Sequence, residues 1–135
     1  MRTLNPPGWP RPKGYANGVE AEGRLVFVAG QIGWTPEGKF EATTLPGQLA
    51  QTLDNTLAVL REAGAGPEHV ARMTWFITDK RAYLASLAEI GAVWRAKMGR
   101  NYPAMAVVEV AALIEDQALI EIETTAVVPA EAGRP

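Results

Sequence analysis

The stretch Val70-Ala71-Arg72-Met73-Thr74-Trp75-Phe76-Ile77-Thr78 decides the fold class. Rich in β-branched and aromatic residues, it reads as a buried strand. A helical pattern lies on each side of it. Upstream, Leu49, Leu53, Leu57 and Leu60 recur at spacings of four, four and three, which is one face of a helix over residues 46–63. Gly64 and Gly66 stop that helix. Downstream, Asp79 is placed to cap a second helix over residues 80–98. Its stripe is Tyr83, Leu87, Ile90 and Trp94.

Further strands lie outside this centre. Arg24-Leu25-Val26-Phe27-Val28-Ala29 is one, ended by Gly30-Gln31-Ile32-Gly33. A shorter one is expected over residues 15–20, before the turn Ala21-Glu22-Gly23. Pro6, Pro7, Pro10 and Pro12 make residues 1–14 an irregular, extended lead-in. Two strands close the chain, over residues 104–111 and 118–128, with a turn at residues 114–117. Residues 129–135 read as a frayed tail. The order is ββαβαββ in a single domain spanning residues 1–135. Each βαβ crossover lays its helix on the sheet with the same hand, so both helices cover one face. The fold class is α+β, a two-layer sandwich with a mixed sheet.

Composition narrows the function. The chain has no cysteine, which excludes disulfides, thiolate nucleophiles and zinc–thiolate sites. His69 is the sole histidine and falls in a turn, so no transition-metal site or Ser-His-Asp constellation is expected. No glycine-rich phosphate loop joins a strand to a helix, and no cofactor is expected. Net charge is -2, with 13 basic residues scattered among 15 acidic ones. That balance argues against a dedicated nucleic-acid binder. No apolar run reaches the length of a signal peptide or a membrane helix, and a cytoplasmic location is expected.

The sheet poses a question of its own. In the last strand Ile120, Ile122, Thr124 and Ala126 share one side, and Glu121, Glu123, Thr125 and Val127 the other. In the strand before it, Met105, Val107, Glu109 and Ala111 share a side. Ala106, Val108 and Val110 share the opposite one, which is assigned to the helices. No third helix remains to cover the far face, where apolar residues stand beside carboxylates. Such a face marks a subunit interface, and a symmetric homo-oligomer joined sheet to sheet is expected.

The chain resembles the Rid family (YjgF-type proteins, also called endoribonuclease L-PSP). Gly14-Tyr15-Ala16, residues 25–32, Gln51-Thr52-Leu53-Asp54-Asn55, Leu60-Arg61-Glu62-Ala63-Gly64, residues 74–79, Tyr102-Pro103-Ala104, Val108-Glu109-Val110 and Ile120-Glu121-Ile122-Glu123 carry the resemblance. It spans almost the whole chain in order and spacing. It implies a chorismate-mutase-like fold and a homotrimer whose sheets form a central barrel. It also implies a small-molecule cleft at each subunit interface and hydrolysis of reactive enamines and imines to keto acids and ammonia. A ribonuclease activity rests on the family label alone, and the charge balance opposes it.

The resemblance also implies a site. Tyr15 matches the family's site tyrosine, and Gly30 and Gln31 its backbone groups. Glu121 matches the glutamate that helps position water, as a general base or an orienting group. Three positions depart from the pattern. Met105 stands where the family has the arginine that holds a substrate carboxylate, Val107 where cysteine is common, and Leu87 where asparagine is common. An arginine offers a fixed fork of donors; methionine offers polarizable apolar surface and no charge. A substrate without the usual α-carboxylate, or another cation such as Arg100, Lys13 or Arg72, would reconcile the change. For Glu109 and Glu123, interface hydrogen bonding is preferred to an acid/base role beside Glu121. Trp75 and Trp94 are read as core. A non-catalytic trimer that binds a small, fairly apolar metabolite is the other reading.

Overall fold

The computed structural model describes residues 1–130; residues 131–135, part of the tail expected to fray, lie outside the described residues. A short hairpin opens the chain: β1 (Arg2–Leu4) pairs antiparallel with β2 (Gly18–Glu20). Then come β3 (Arg24–Ile32), α1 (Leu45–Glu62) and a single 3-10 turn (Pro67–His69). The rest is β4 (Val70–Ile77), α2 (Lys80–Ala85), α3 (Leu87–Met98), β5 (Ala104–Glu109) and β6 (Ile120–Val128). The main sheet has four strands in the order β3-β6-β4-β5. β6 is antiparallel to both β3 and β4, and β4 is parallel to β5. The mixed α+β sheet backed by helices is the architecture expected.

Three details differ. The lead-in is not wholly irregular, because Arg2, Thr3 and Leu4 pair with Glu20, Val19 and Gly18. A three-residue strand has too few residues to show alternation, and its partner lies far along the chain. The strand expected over residues 15–20 starts only at Gly18 for the same reason. The second helix is broken at Ser86, whose backbone (φ -117, ψ 16) ends α2 and starts α3. Asp79 does cap the first piece, accepting from the Ala82 N–H at 3.0 Å.

The core lies between the sheet and the helices. Leu49, Leu53 and Leu60 of α1 are fully buried against Met73, Trp75, Ile120 and Ile122. Ile90, Trp94 and Met98 of α3 join the same cluster. Hydroxyls inside α1 are satisfied locally: Thr52 and Thr56 donate to the carbonyls four residues back, at 2.7 and 2.9 Å. At its N-terminus Thr44 Oγ1 accepts from the Gly47 N–H at 3.2 Å.

The strand faces correct one expectation. Met105 and Val107, not Ala106 and Val108, lie on the helix side of β5. Val107 is in register with buried Trp75, and Val108 with Phe76 and, across β4, Glu121. Both sides of β5 carry apolar residues, so alternation alone could not choose between them. The fit against Trp75 and α3 does. The other face of the sheet has no described helix on it, and Leu25, Phe27 and Val108 stand exposed there.

Candidate functional site

The lead-in reaches the sheet at one point. The Ala16 N–H donates to the Pro103 carbonyl at 2.9 Å, and Ala16 bridges Ala104 in parallel. This contact sets Tyr15 beside the start of β5. At the N-terminal end of α3, Leu87 of the expected core stripe is half exposed. Between α3, β5 and the lead-in lies a pocket of about 570 Å³, open to solvent on one side. Tyr15, Leu87, Met105 and Val107 all line it, with Trp75, Ile90, Trp94 and Tyr102. Four residues singled out in the sequence therefore converge on one cavity.

Its walls are largely aromatic. Trp94 stacks on Tyr102 with ring centroids 6.1 Å apart and planes 15° apart. Trp75 meets Trp94 at 6.0 Å and 41°. The two tryptophans are core residues, as expected, and also form the pocket floor. Tyr83 borders the same space, and burial pushes its phenol above the ordinary tyrosine value. It is therefore a neutral hydroxyl throughout the physiological range. Of the three cations considered as substitutes, Lys13 lines the pocket and Arg100 and Arg72 do not. Arg95 lines it as well, and the sequence pattern did not single it out.

The remaining residues lie elsewhere in the chain. Glu121 alternates with buried Ile120 and Ile122, so it points to the uncovered face of the sheet. It lies against β3 at Gly30, where a Cβ would overlap its carboxylate. A side chain at residue 30 would displace the carboxylate from this position. The Gln31 side chain turns back to donate to the Ala29 carbonyl at 3.2 Å. It borders a separate shallow groove with Trp34 and Asn55. Asn55 donates to the carbonyls of Ile32 and Trp34 at 3.0 and 2.8 Å, which fixes the backbone just beyond Gly30 and Gln31. Within one chain, then, Tyr15 and Met105 are on the helix side, and Glu121 and Gly30 are on the other.

Other candidates have structural partners. Glu109 accepts from the Lys80 N–H at 2.7 Å and so caps α2 rather than pairing with Glu121. Glu123 is exposed on the uncovered face, in register with Thr74. His69 Nδ1 accepts from the Gly66 N–H at 3.0 Å. No cluster of three or more metal-ligating side chains occurs among the described residues. No described helix is long and apolar enough to cross a membrane.

A four-stranded mixed sheet backed by helices, with a solvent-open pocket at its β5 edge, defines the class of protein: a small α+β domain with an edge cleft. Comparison with known proteins makes this specific. The family model described as Endoribonuclease L-PSP matches residues 10–128. A RutC family protein of Synechocystis is 35% identical over 136 residues, covering 96% of this chain and 98% of the relative. The 2-iminobutanoate/2-iminopropanoate deaminase of Escherichia coli K12 is 32% identical over 116 residues, covering 84% and 86%. The solved structure of a Rid-family protein of unknown function from Yersinia pestis superposes with a TM-score of 0.83. It is 33% identical and covers 94% of this chain and 98% of that one. The chain belongs to the Endoribonuclease L-PSP family, the family of the Rid and RutC proteins.

Proposed function

We propose that this protein is a hydrolase of reactive enamine or imine metabolites, acting in the cytoplasm as a homotrimer with a cleft at each subunit interface. Each cleft combines the Met105 pocket of one copy with Glu121 and the Gly30-Gln31 backbone of the next. One observation carries the reading. Tyr15, Leu87, Met105 and Val107 share a pocket, while Glu121 faces away on a sheet surface that no described element of its own chain covers. The deaminase relative from Escherichia coli supports the reaction class.

In this reading Glu121 orients a water molecule and accepts its proton as the oxygen attacks the C=N carbon. The C=N π electrons move to nitrogen, which takes the proton back from Glu121, and the new C–O bond gives a carbinolamine. Glu121 then passes the carbinolamine hydroxyl proton to the same nitrogen as the C–N bond breaks, releasing ammonia and a carbonyl compound. Tyr15 supplies a hydroxyl to the reacting group. Met105 supplies no charge, so a small 2-imino acid loses the bidentate ion pair that an arginine would give it.

The test is ammonia release from freshly generated imines. Wild-type protein is expected to act on iminopropanoate at or near the buffer rate, and Met105→Arg to raise that rate at least about tenfold, given the few kcal/mol such a pair supplies. Rapid release by wild type contradicts the altered specificity. A bulkier imine is expected to release ammonia faster with wild type than in buffer, and Glu121→Gln to abolish the gain. No release from any imine would contradict hydrolysis. It would favour the second reading, a non-catalytic metabolite-binding trimer, which the apolar lining by Leu87, Met105 and Val107 supports.

A further inference from the structure

Arg95 lies four residues after Gly91 on α3, and its guanidinium folds back along the helix over that glycine. A Cβ at Gly91 would stand 3.2 Å from Arg95 Nη1, tighter than ordinary contact. Glycine at 91 thus leaves room for the guanidinium at the pocket wall. The described ion pairs are Arg2 with Glu20 and Lys97 with Asp54, so Arg95 has no carboxylate partner among the described residues. Lys13, the other cation at the pocket, has none either. No acidic side chain among the described residues lines the cavity. Two positive charges without a carboxylate partner among the described residues therefore border a space lined by the stacked rings of Trp94 and Tyr102.

A guanidinium is a planar fork that binds a carboxylate through two parallel hydrogen bonds. Stacked aromatic rings favour a flat apolar partner, and a thioether adapts its shape to a ring edge. A cavity of about 570 Å³ is in the range that houses drug-sized molecules rather than three-carbon acids. We propose that Arg95 is the anion-binding residue of this pocket, and that its ligands are carboxylates carried on an aromatic or similarly flat apolar body. The inference rests on the pocket being the ligand site of the proposed function. It places the carboxylate near α3, away from residue 105.

Binding of two isosteric probes, 3-phenylpropanoate and 3-phenylpropanamide, tests this on the full chain by quenching of tryptophan fluorescence. Wild type is expected to prefer the carboxylate by about tenfold or more, as one charge-assisted fork allows. Arg95→Gln is expected to bring the two within about twofold, chiefly by weakening the carboxylate. Arg95→Lys, which keeps the charge without the fork, should fall between them. Arg95 is exposed on its helix, and an unchanged melting temperature will show that the variants fold. The same preference in Arg95→Gln as in wild type overturns the proposal. So does loss of the preference in Lys13→Gln alone, or failure of wild type to bind either probe. Because the readout is binding, an intact preference with no ammonia release from any imine removes the hydrolase reading and leaves the anion site. Imine turnover with no preference does the reverse.

Discussion

Phe27→Asp is expected to leave the protein folded but to reduce the proposed trimer of 14.5 kDa chains to monomers. Phe27 is 72% exposed, Leu25 61% and Val108 42%, and all three stand on the sheet face that no described helix covers. Burying a phenylalanine side chain contributes about 2–3 kcal/mol. In a closed ring of three copies that contribution recurs at every contact. An aspartate there loses the apolar gain and adds the cost of desolvating a charge. Phe27 is absent from the buried core, so the melting transition of the isolated chain should change little. Light scattering checks both masses. A wild-type protein that is monomeric at micromolar concentration would contradict the proposed assembly before any variant is made.

Gln48→Leu is expected to cost about 3 kcal/mol, because it strips partners from several buried groups at once. Gln48 is 1% exposed and sits in the first turns of α1. Its amide donates to the carbonyls of Ala42 and Gln117 at 3.2 and 2.8 Å, and its oxygen accepts from the Leu119 N–H at 2.8 Å. One side chain thus ties the entry of α1 to the segment that leads into β6. Leucine fills the volume and leaves those backbone groups unsatisfied. For a chain of this length the loss corresponds to a fall of roughly 10 °C in Tm. Calorimetry measures it, and a fall of less than about 2 °C would mean that water replaces the lost bonds.

Much of this molecule could be read from its residues, and the failures have physical causes. The α1 stripe was legible because Leu49, Leu53 and Leu60 are all fully buried on one face. The strand around Trp75 was legible from its β-branched and aromatic density. The side of β5 was not, since Met105 and Val107 look as buriable as Val108 and Val110 until packing against Trp75 separates them. The break at Ser86 escaped notice because the apolar stripe runs through it without a change of phase. Arg95 escaped because an arginine on the wet side of a helix resembles a solvated charge. The available signal was Gly91 four residues earlier, a poor helix former that gives the guanidinium room. Glu109 resembled a site carboxylate but caps a helix from a distant strand, a contact that local sequence does not encode.

The candidate site is divided between the two faces of the sheet. The resemblance placed Tyr15, Met105 and Glu121 together, and strand alternation places them on opposite sides of one sheet. In the proposed trimer a second copy supplies the missing half. The chain contains no cysteine, so single thiols can be introduced and followed without interference. Chains carrying only Tyr15→Cys, mixed and reassembled with chains carrying only Glu121→Cys, should be joined by a short bis-maleimide into covalent pairs that neither variant forms alone. No such pairs, with the Tyr15→Cys/Glu121→Cys double variant linking only within its own chain, would contradict a cleft built from two copies.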